Sequence, residues 1–344
     1  VADSLSSRVD EIVFVGTSTE SDNLAVRGTV MAWGEKNENK IPHIITTTIE
    51  HSAVSAIFKQ LEKEGLAEIS FVPVDSLGNI NLKELKTLLK ENTILFSFIH
   101  GNNEIGTIQN VEEIVKLIRH FKKHALGDAR ALYPLVHTDA SQSFSYSDIH
   151  MNKMGVDLMS LNSSKVGGPK GVALLYVKKG TPIQSIIFGG GQEFGLRPGT
   201  QDISGVAGFA KALQMAKDER EKESAPLKDL QDFFFKEIDN NFSNLVRVNG
   251  SREERLPNNI NITVFNFESE LLVLELDAKG FSVSSKSACN ESGDEDSSIM
   301  QAIHPDEDAR IGGVRITLGK DTSKKDLELF LSALREIIEK YKNF

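Results

Sequence analysis

The sequence contains a single cysteine, Cys289, among its 344 residues. One cysteine cannot form a disulfide within the chain, so stabilisation by internal disulfides is excluded. The remaining thiol is either chemically reactive or an inert group packed in the core, which is the usual place of a lone cysteine. A sequence without internal disulfides fits a reducing compartment, and we therefore expect a cytoplasmic protein.

Long apolar runs and excess positive charge are also lacking. No run of about 18 apolar residues occurs and the start does not resemble a signal peptide, so we expect a soluble protein without a membrane partner. The net charge of −10 argues against a nucleic acid bound by bulk electrostatics. With 344 residues, of which 40% are hydrophobic, the chain can bury a sizeable core in two domains or one large α/β domain.

Short apolar segments alternate with helical patterns along the first half of the chain. The pattern predicts strands near residues 11–15, 43–47, 69–73, 93–100 and 133–139. The segment 93–100 is almost continuously apolar, as buried parallel strands are. Such an alternation indicates an α/β fold, and in open α/β sheets ligands bind at the carboxyl ends of the strands.

Polar side chains follow several of these strands. Ser18 and Thr19 lie in a turn that opens a helix, where hydroxyls and backbone N–H groups bind phosphate, although ordinary helix capping explains them equally well. Asn103, Asp139 and Lys165 each follow a strand. A polar turn is the common explanation for one such lysine, but a rigid, partly desolvated strand end also suits a lysine that must react as a neutral amine.

Pyridoxal 5'-phosphate (PLP) is the cofactor whose chemistry needs these groups together. A carboxylate keeps its pyridine nitrogen protonated, a helix N-terminus binds its phosphate and a lysine binds its aldehyde. Asp139, the turn at Ser18 and Lys165 offer one of each. The sequence therefore predicts a PLP site and no metal.

Successive motifs of the chain resemble those of a known family. They are residues 50–51 (EH), 100–106 (HGNNEIG), 137–143 (HTDASQS), 165–171 (KVGGPKG), 189–193 with 197–200 (GGGQE, RPGT) and 284–289 (SSKSAC). In this order they resemble the cysteine desulfurases, class V aminotransferase-like enzymes of PLP fold type I that supply sulfur for iron–sulfur clusters. The resemblance implies a large, mostly parallel seven-stranded sheet domain and a smaller α+β domain, which we place at residues 1–207 and 208–344.

The resemblance also implies how the cofactor is held. Lys165 would bind its aldehyde, Asp139 its pyridine nitrogen and Gln142 its phenolic oxygen, while His51 would stack on the ring and transfer protons. Polar side chains would hold the phosphate: Ser18, Thr19, Asn162, Ser164 and, from a neighbouring subunit, Thr200. The last of these implies a homodimer.

The implied substrate is L-cysteine, which would become L-alanine. Arg315 would clamp the substrate carboxylate with its two-pronged guanidinium group, and Asn103 would contact both cofactor and substrate. Cys289 would take the sulfur as a persulfide, for delivery to an iron–sulfur scaffold or another sulfur-acceptor protein.

The sequence departs from the family pattern in three places. Asn162, Ser163 and Ser164 stand where a Ser-Gly-His or Ser-Ala-His sequence is usual, which keeps hydrogen-bond donors but loses a histidine. Acidic residues follow Cys289, and such neighbours raise the pKa of a thiol. The chain also begins at Val1, a short way before the first strand, so we expect an N-terminal segment of the family to be missing.

The second half of the chain predicts two helices, at residues 202–223 and 227–241, then antiparallel strands near 245–249, 259–264 and 314–318. A serine followed by an acid three residues later predicts a capped final helix beginning near residue 321. Two alternatives to the desulfurase remain open. One is a PLP-fold protein that binds partners without turnover, and the other is a selenocysteine lyase or another class V lyase.

Overall fold

The computed structural model of the protein describes residues 1–128, 131–285, 299–308 and 310–341. The chain divides into two compact units. The first contains residues 1–73, 80–101 and 109–220, and the second contains residues 74–79, 102–108 and 221–344. Two short segments from the first half of the chain therefore belong to the second unit. The domain boundary that the sequence suggests, after residue 207, stays a prediction.

Seven strands form the sheet of the first unit: β1 (Ile12–Val15), β2 (His43–Thr47), β3 (Glu68–Val72), β4 (Thr93–Ile99), β5 (Leu135–Asp139), β6 (Leu158–Asn162) and β7 (Ala173–Val177). Across the sheet their order is β1-β7-β6-β5-β4-β2-β3. The strands from β6 to β3 are parallel neighbours, while β7 lies antiparallel between β1 and β6. The expected large, mostly parallel seven-stranded sheet is confirmed.

Strand direction determines which groups share an edge of this sheet. Because β7 is antiparallel to both β1 and β6, β1 points the same way as β6. The carboxyl ends of β1, β2, β5 and β6 therefore lie at one edge, as in other α/β sheets that bind ligands there. The turn before Ser18, the segment around His51, Asp139 and the turn containing Lys165 all begin at this edge.

The helices that begin in the first unit carry one apolar face each or are short connections: α1 (Ala2–Leu5), α2 (Ser18–Gly34), α3 (Ser52–Lys63), α4 (Leu82–Leu88), α5 (Val111–His124), α6 (Met151–Met154) and α7 (Ile203–Asn241). In α5 the buried residues Val111, Ile114, Val115 and Ile118 recur every three or four positions, as one helix face requires. Strands β4 and β5 are buried along their whole length. The core therefore lies between the sheet and these faces.

Helix α7 differs from the sequence prediction. It is continuous from Ile203 to Asn241 with Pro226 inside it, so the prediction of two helices was wrong. A proline in a helix interior costs about 3 kcal/mol. Leu213 before it and Phe234 after it are completely buried, and burial of such side chains offsets this local cost.

The second unit contains a three-stranded sheet of β8 (Val246–Val248), β9 (Asn259–Val264) and β10 (Val314–Thr317), with β9 in the centre. Both pairings are antiparallel, as the sequence predicts. Its helices are α8 (Ser269–Ala278), α9 (Ile299–Ile303) and α10 (Lys324–Tyr341). Ser323 caps α10, because Asp326 N donates to its Oγ at 3.3 Å while Ser323 N donates to Asp326 Oδ2 at 2.8 Å, which confirms the predicted capping box.

Candidate active site

Lys165 lies in a short 3-10 turn, Ser163–Val166, directly after β6. Its side chain is exposed. The turn is packed closely against the glycine that follows, since a Cβ on Gly168 would lie 2.3 Å from Ser163 Oγ. Any larger residue at position 168 would collide with Ser163. The backbone that carries the Lys165 amine is therefore fixed at the end of the strand.

His51 occupies the N-cap of α3, where its Nδ1 accepts a hydrogen bond of 3.1 Å from Ala53 N. An accepting Nδ1 places the ring proton on Nε2. Burial lowers the pKa of His51, the nearby Asp139 carboxylate raises it and the Lys165 ammonium lowers it again. Asp139 and Lys165 therefore both lie within electrostatic reach of the His51 imidazole.

Asp139 ends β5 and is buried. Its Oδ1 accepts a hydrogen bond of 2.9 Å from Ser141 N, which holds the carboxylate at the start of the following turn. Gln142 lies in that turn and is half-buried. A buried acid at a strand end, with a lysine and a histidine within reach, is an arrangement suited to proton transfer.

A second group of polar side chains surrounds the N-terminus of α2. Thr17 caps this helix by accepting from Glu20 N at 3.1 Å. Ser18 Oγ accepts from Asn162 Nδ2 at 3.1 Å, and Asn162 Oδ1 accepts from Ser164 N and Oγ at 3.1 and 3.0 Å. The structure thus brings Ser18, Asn162 and Ser164 together across two elements. Thr19 is exposed on the first turn, so hydroxyls and helical N–H groups meet where an anion is favoured.

The glycine-rich loop before α7 is joined to the same helix N-terminus. Arg197 Nε donates to Glu20 Oε1 at 2.9 Å, and Glu20 Oε2 accepts from Gly16 N at 2.7 Å. Thr200, three residues beyond Arg197, is exposed. The loop and its surroundings also expose large apolar side chains, with Phe188 88% and Phe194 64% accessible.

Two predicted site residues belong to the second unit. Arg315, in β10, donates from Nη1 to Asn103 O at 3.3 Å. Asn103 Oδ1 is buried and takes no hydrogen bond within the described part of the chain. The backbone of Arg315 also pairs with Ser284, in both directions, at 2.7 and 3.1 Å. Ser284 begins the predicted Cys289 motif, but Cys289 itself lies outside the described residues.

Buried ionisable residues near Asp139 were not given roles from the sequence. Burial raises the pKa of Glu50 to about 8, although hydrogen bonds from Thr47 and Ile99 oppose the rise. Burial also raises the pKa of Asp22, and the negative charge of Asp139 adds to it. A signal was present for Asp22, because it lies four residues before Val26 and three before Ala25, on the buried face of α2. No comparable signal distinguishes Glu50 from a surface acid.

Among the described residues, no three His, Cys, Asp or Glu side chains are grouped so as to hold a metal ion. The helices within the same ranges include none that is both long and apolar enough to cross a membrane.

Comparisons with known proteins place this chain in a family. The model of the class-V aminotransferases matches residues 1–330. A cysteine desulfurase IscS of Dictyoglomus turgidum is 39% identical over 340 residues, which is 99% of this chain and 82% of the relative. A solved NifS-like protein is 34% identical with a TM-score of 0.83, covering 98% of this chain and 85% of that one.

A second solved structure, described as SspA in complex with cysteine, is 29% identical with a TM-score of 0.73 and covers 92% of this chain and 84% of that one. The family match, the near full-length relatives and the arrangement at the edge of the seven-stranded sheet agree. The chain therefore belongs to the class-V aminotransferase family and, within it, to the cysteine desulfurases.

Proposed function

We propose that the protein uses PLP to convert L-cysteine to L-alanine and transfers the sulfur atom to Cys289. The observation that carries this proposal is the grouping of Lys165, His51 and Asp139 at the edge of the sheet. There Asp139 and Lys165 both affect the pKa of His51. The sulfur would then pass to an iron–sulfur scaffold or another acceptor protein, in the cytoplasm. This conclusion draws on family membership for the reaction and on the site for the roles.

The residues present fit PLP. Asp139 is a buried carboxylate whose Oδ1 is already occupied by Ser141 N, which leaves Oδ2 for a cationic ring nitrogen. Ser18, Ser164 and the first turn of α2 offer donors for a phosphate, with Asn162 joining the two elements. When bound, PLP supplies an electron sink that weakens bonds at the α-carbon of an amino acid. We assign Thr19 and Gln142 to the phosphate and the phenolic oxygen.

The chain's own residues would handle protons and orientation. Lys165 would hold the cofactor covalently and, once released, act as an amine base near the substrate. His51 would donate or accept a proton at Nε2, because Nδ1 is fixed by Ala53 N. Its lowered pKa keeps it able to accept a proton at neutral pH.

Substrate binding would involve the second unit. One N–H group of Arg315 Nη1 donates to Asn103 O. The other N–H groups of the guanidinium would be available for the substrate carboxylate. The buried Asn103 Oδ1, which has no hydrogen bond within the described residues, would accept one from the ligand. These assignments remain part of the proposal.

The Cys289 thiol would accept the sulfur atom of the substrate. Its thiolate attacks the substrate sulfur, the carbon–sulfur bond breaks, and the substrate carbon gains a proton to give alanine. The protein gains one sulfur atom as a persulfide, and no external oxidant is needed. A second subunit is proposed to place its Thr200 on the phosphate, so the active form would be a homodimer.

The test is to incubate the purified protein with L-cysteine and a thiol reductant and to measure alanine and sulfide. A visible absorption band before substrate is added would demonstrate bound cofactor. We expect the band, and equal amounts of alanine and sulfide. A protein with the band but no alanine would be a partner without turnover, and release of alanine from selenocysteine alone would indicate a selenocysteine lyase.

A further inference from the structure

Asp22 is the most unusual buried group of the first unit. It lies on α2, its side chain is completely inaccessible, and neither oxygen forms a hydrogen bond within the described part of the chain. An ionised carboxylate in such a place costs several kcal/mol unless a cation or donors compensate it. The nearest nitrogen is His137 Nε2, 3.7 Å from Asp22 Oδ1.

An ionised Asp22 would need a positive charge nearby, and His137 does not supply it. Ser21 donates to Leu174 O at 3.0 Å, so in its 2.7 Å contact with Ser160 it accepts. Ser160 therefore donates its hydroxyl proton to Ser21, and its Oγ accepts from His137 Nε2 at 3.1 Å. His137 Nδ1 then accepts from Ser97 Oγ at 2.8 Å. One proton on the ring is enough for every contact, and burial, which lowers the pKa of His137 to about 3, keeps the imidazole neutral at pH 7.

The other ionisable groups facing Asp22 are acids. Asp139 and Glu50 both interact with it and raise its pKa, after burial, which is the largest cause. Strands β1, β4 and β6 contain no ionisable side chain. Helix α3 also packs against α2, but its ionisable side chains, Lys59, Glu62 and Lys63, are exposed. Tyr176 of β7 interacts instead with acids at the other end of its strand. A hydrogen bond from Ser160 would oppose the rise of the Asp22 pKa, but the single Ser160 hydroxyl proton is donated to Ser21.

We propose that Asp22 is a positioning residue for Asp139, retained as a neutral carboxylic acid in the same buried region, so that Asp139 is the charged carboxylate at the proposed ring-nitrogen site. Three acids share this buried region, and among the described residues the nitrogen paired with Asp22 is that of the neutral His137. A second buried anion would compete with Asp139 for the ring-nitrogen proton. The inference rests on the proposed function only for the partner of Asp139.

Infrared difference spectroscopy of the PLP-bound full-length protein tests the protonation directly. Asp22→Asn should remove the C=O band of a protonated carboxyl group at pH 7 and leave the ionised-carboxylate bands unchanged. The matched control is Asp218→Asn, at an exposed acid of α7, which should remove ionised-carboxylate intensity only. Loss of ionised-carboxylate intensity in the Asp22 variant would overturn the proposal.

Coupling to Asp139 is tested by titrating the band assigned to Asp22. In Asp139→Asn its midpoint should move to lower pH, because one negative neighbour is gone, and an unmoved midpoint would contradict the positioning role. If Asp22→Asn does not fold, Asp22→Ser assigns the band instead. A protein that lacks the visible PLP band yet shows the protonated acid and the moved midpoint would disprove the proposed function and leave this inference standing.

Discussion

At the scale of single residues, the amine of Lys165 is the group most directly open to test. Lys165→Ala should abolish the covalent adduct that borohydride traps between protein and cofactor, since the turn after β6 places this amine at the site edge. Mass spectrometry after reduction measures the adduct. Lys170→Ala, a change to another exposed lysine five positions later, should leave it intact. A trapped adduct in the Lys165 variant would mean that another amine binds PLP.

Asp139 should control the rate rather than the fold. Asp139→Asn preserves the shape of the side chain and can still accept from Ser141 N. It removes, however, the negative charge that is proposed to keep the ring nitrogen protonated. We expect alanine formation to slow by several powers of ten, each worth about 1.4 kcal/mol. Stopped-flow and steady-state assays measure this, with Asp218→Asn as control. A rate within tenfold of the parent would disprove the assignment.

Glu50 makes stability depend on pH. Its pKa rises from 4.5 to about 8 on folding, so the stability linked to its proton is complete below pH 4.5 and is lost as pH rises toward 8, by up to about 1.4 kcal/mol per pH unit. Glu50→Gln should flatten the decline in unfolding free energy over this window. Urea unfolding at several pH values measures it. Glu62→Gln, an exposed acid of α3, should keep the parental slope.

The sequence identifies some of these residues and misses others for a physical reason. Asp139 and Lys165 follow apolar strands, so their position at a sheet edge can be predicted from the pattern. Glu50 was recognised only as part of a motif, and nothing in its sequence neighbours reveals that burial changes its protonation. Helical spacing places Asp22 on the buried face of α2. Its protonation state is not encoded locally, because Asp139 and Ser160, which act on its pKa, lie more than a hundred residues away.

At the scale of secondary-structure elements, the capping box of α10 offers a separate test of stability. Ser323→Ala removes the Oγ that accepts from Asp326 N and should lower the unfolding free energy by about 1 kcal/mol. Ser332→Ala, at an exposed position in the middle of the same helix, should be neutral or slightly stabilising because alanine favours helices. Thermal or urea unfolding separates the two. Equal effects would show that the cap contributes nothing.

Elements were predictable where local chemistry decides them. The capping box and the three antiparallel strands of the second unit follow from side-chain pattern alone, and both are present. Helix α7 was not predictable, because the local cost of Pro226 suggests a break that buried apolar residues on both sides overcome. Burial of this kind depends on distant partners, which a window of sequence does not contain.

At the scale of the whole molecule, the exposed apolar side chains before α7 predict self-association. Phe188 and Phe194 lie in the same glycine-rich loop as Thr200, and such exposure is unusual unless a partner covers it. We expect a dimer in solution, the commonest symmetric assembly. Phe188→Asp should weaken it, as light scattering would measure, while Leu329→Asp, at another exposed apolar residue, should not. A monomer fully loaded with PLP would disprove the role of Thr200.

The complete reaction requires Cys289. Cys289→Ser should bind PLP and L-cysteine with unchanged absorption spectra but release no sulfide, because no other thiol exists on the chain. Ser287→Ala, two residues earlier, is the matched control and should retain turnover. Alanine production by the serine variant at the parental rate would show that sulfur leaves by another route.

The position of β7 between β1 and β6 has a consequence for folding during synthesis. Residues 12–15 pair with residues 173–176, so during translation the first strand has no partner until roughly 160 further residues have been made. At about 5–20 residues per second, this takes on the order of ten to thirty seconds. The turn at Ser18 is synthesised early, but it can pack beside Asn162 only after β7 has been made. A nascent chain therefore cannot complete the proposed cofactor pocket before the whole seven-stranded sheet has left the ribosome.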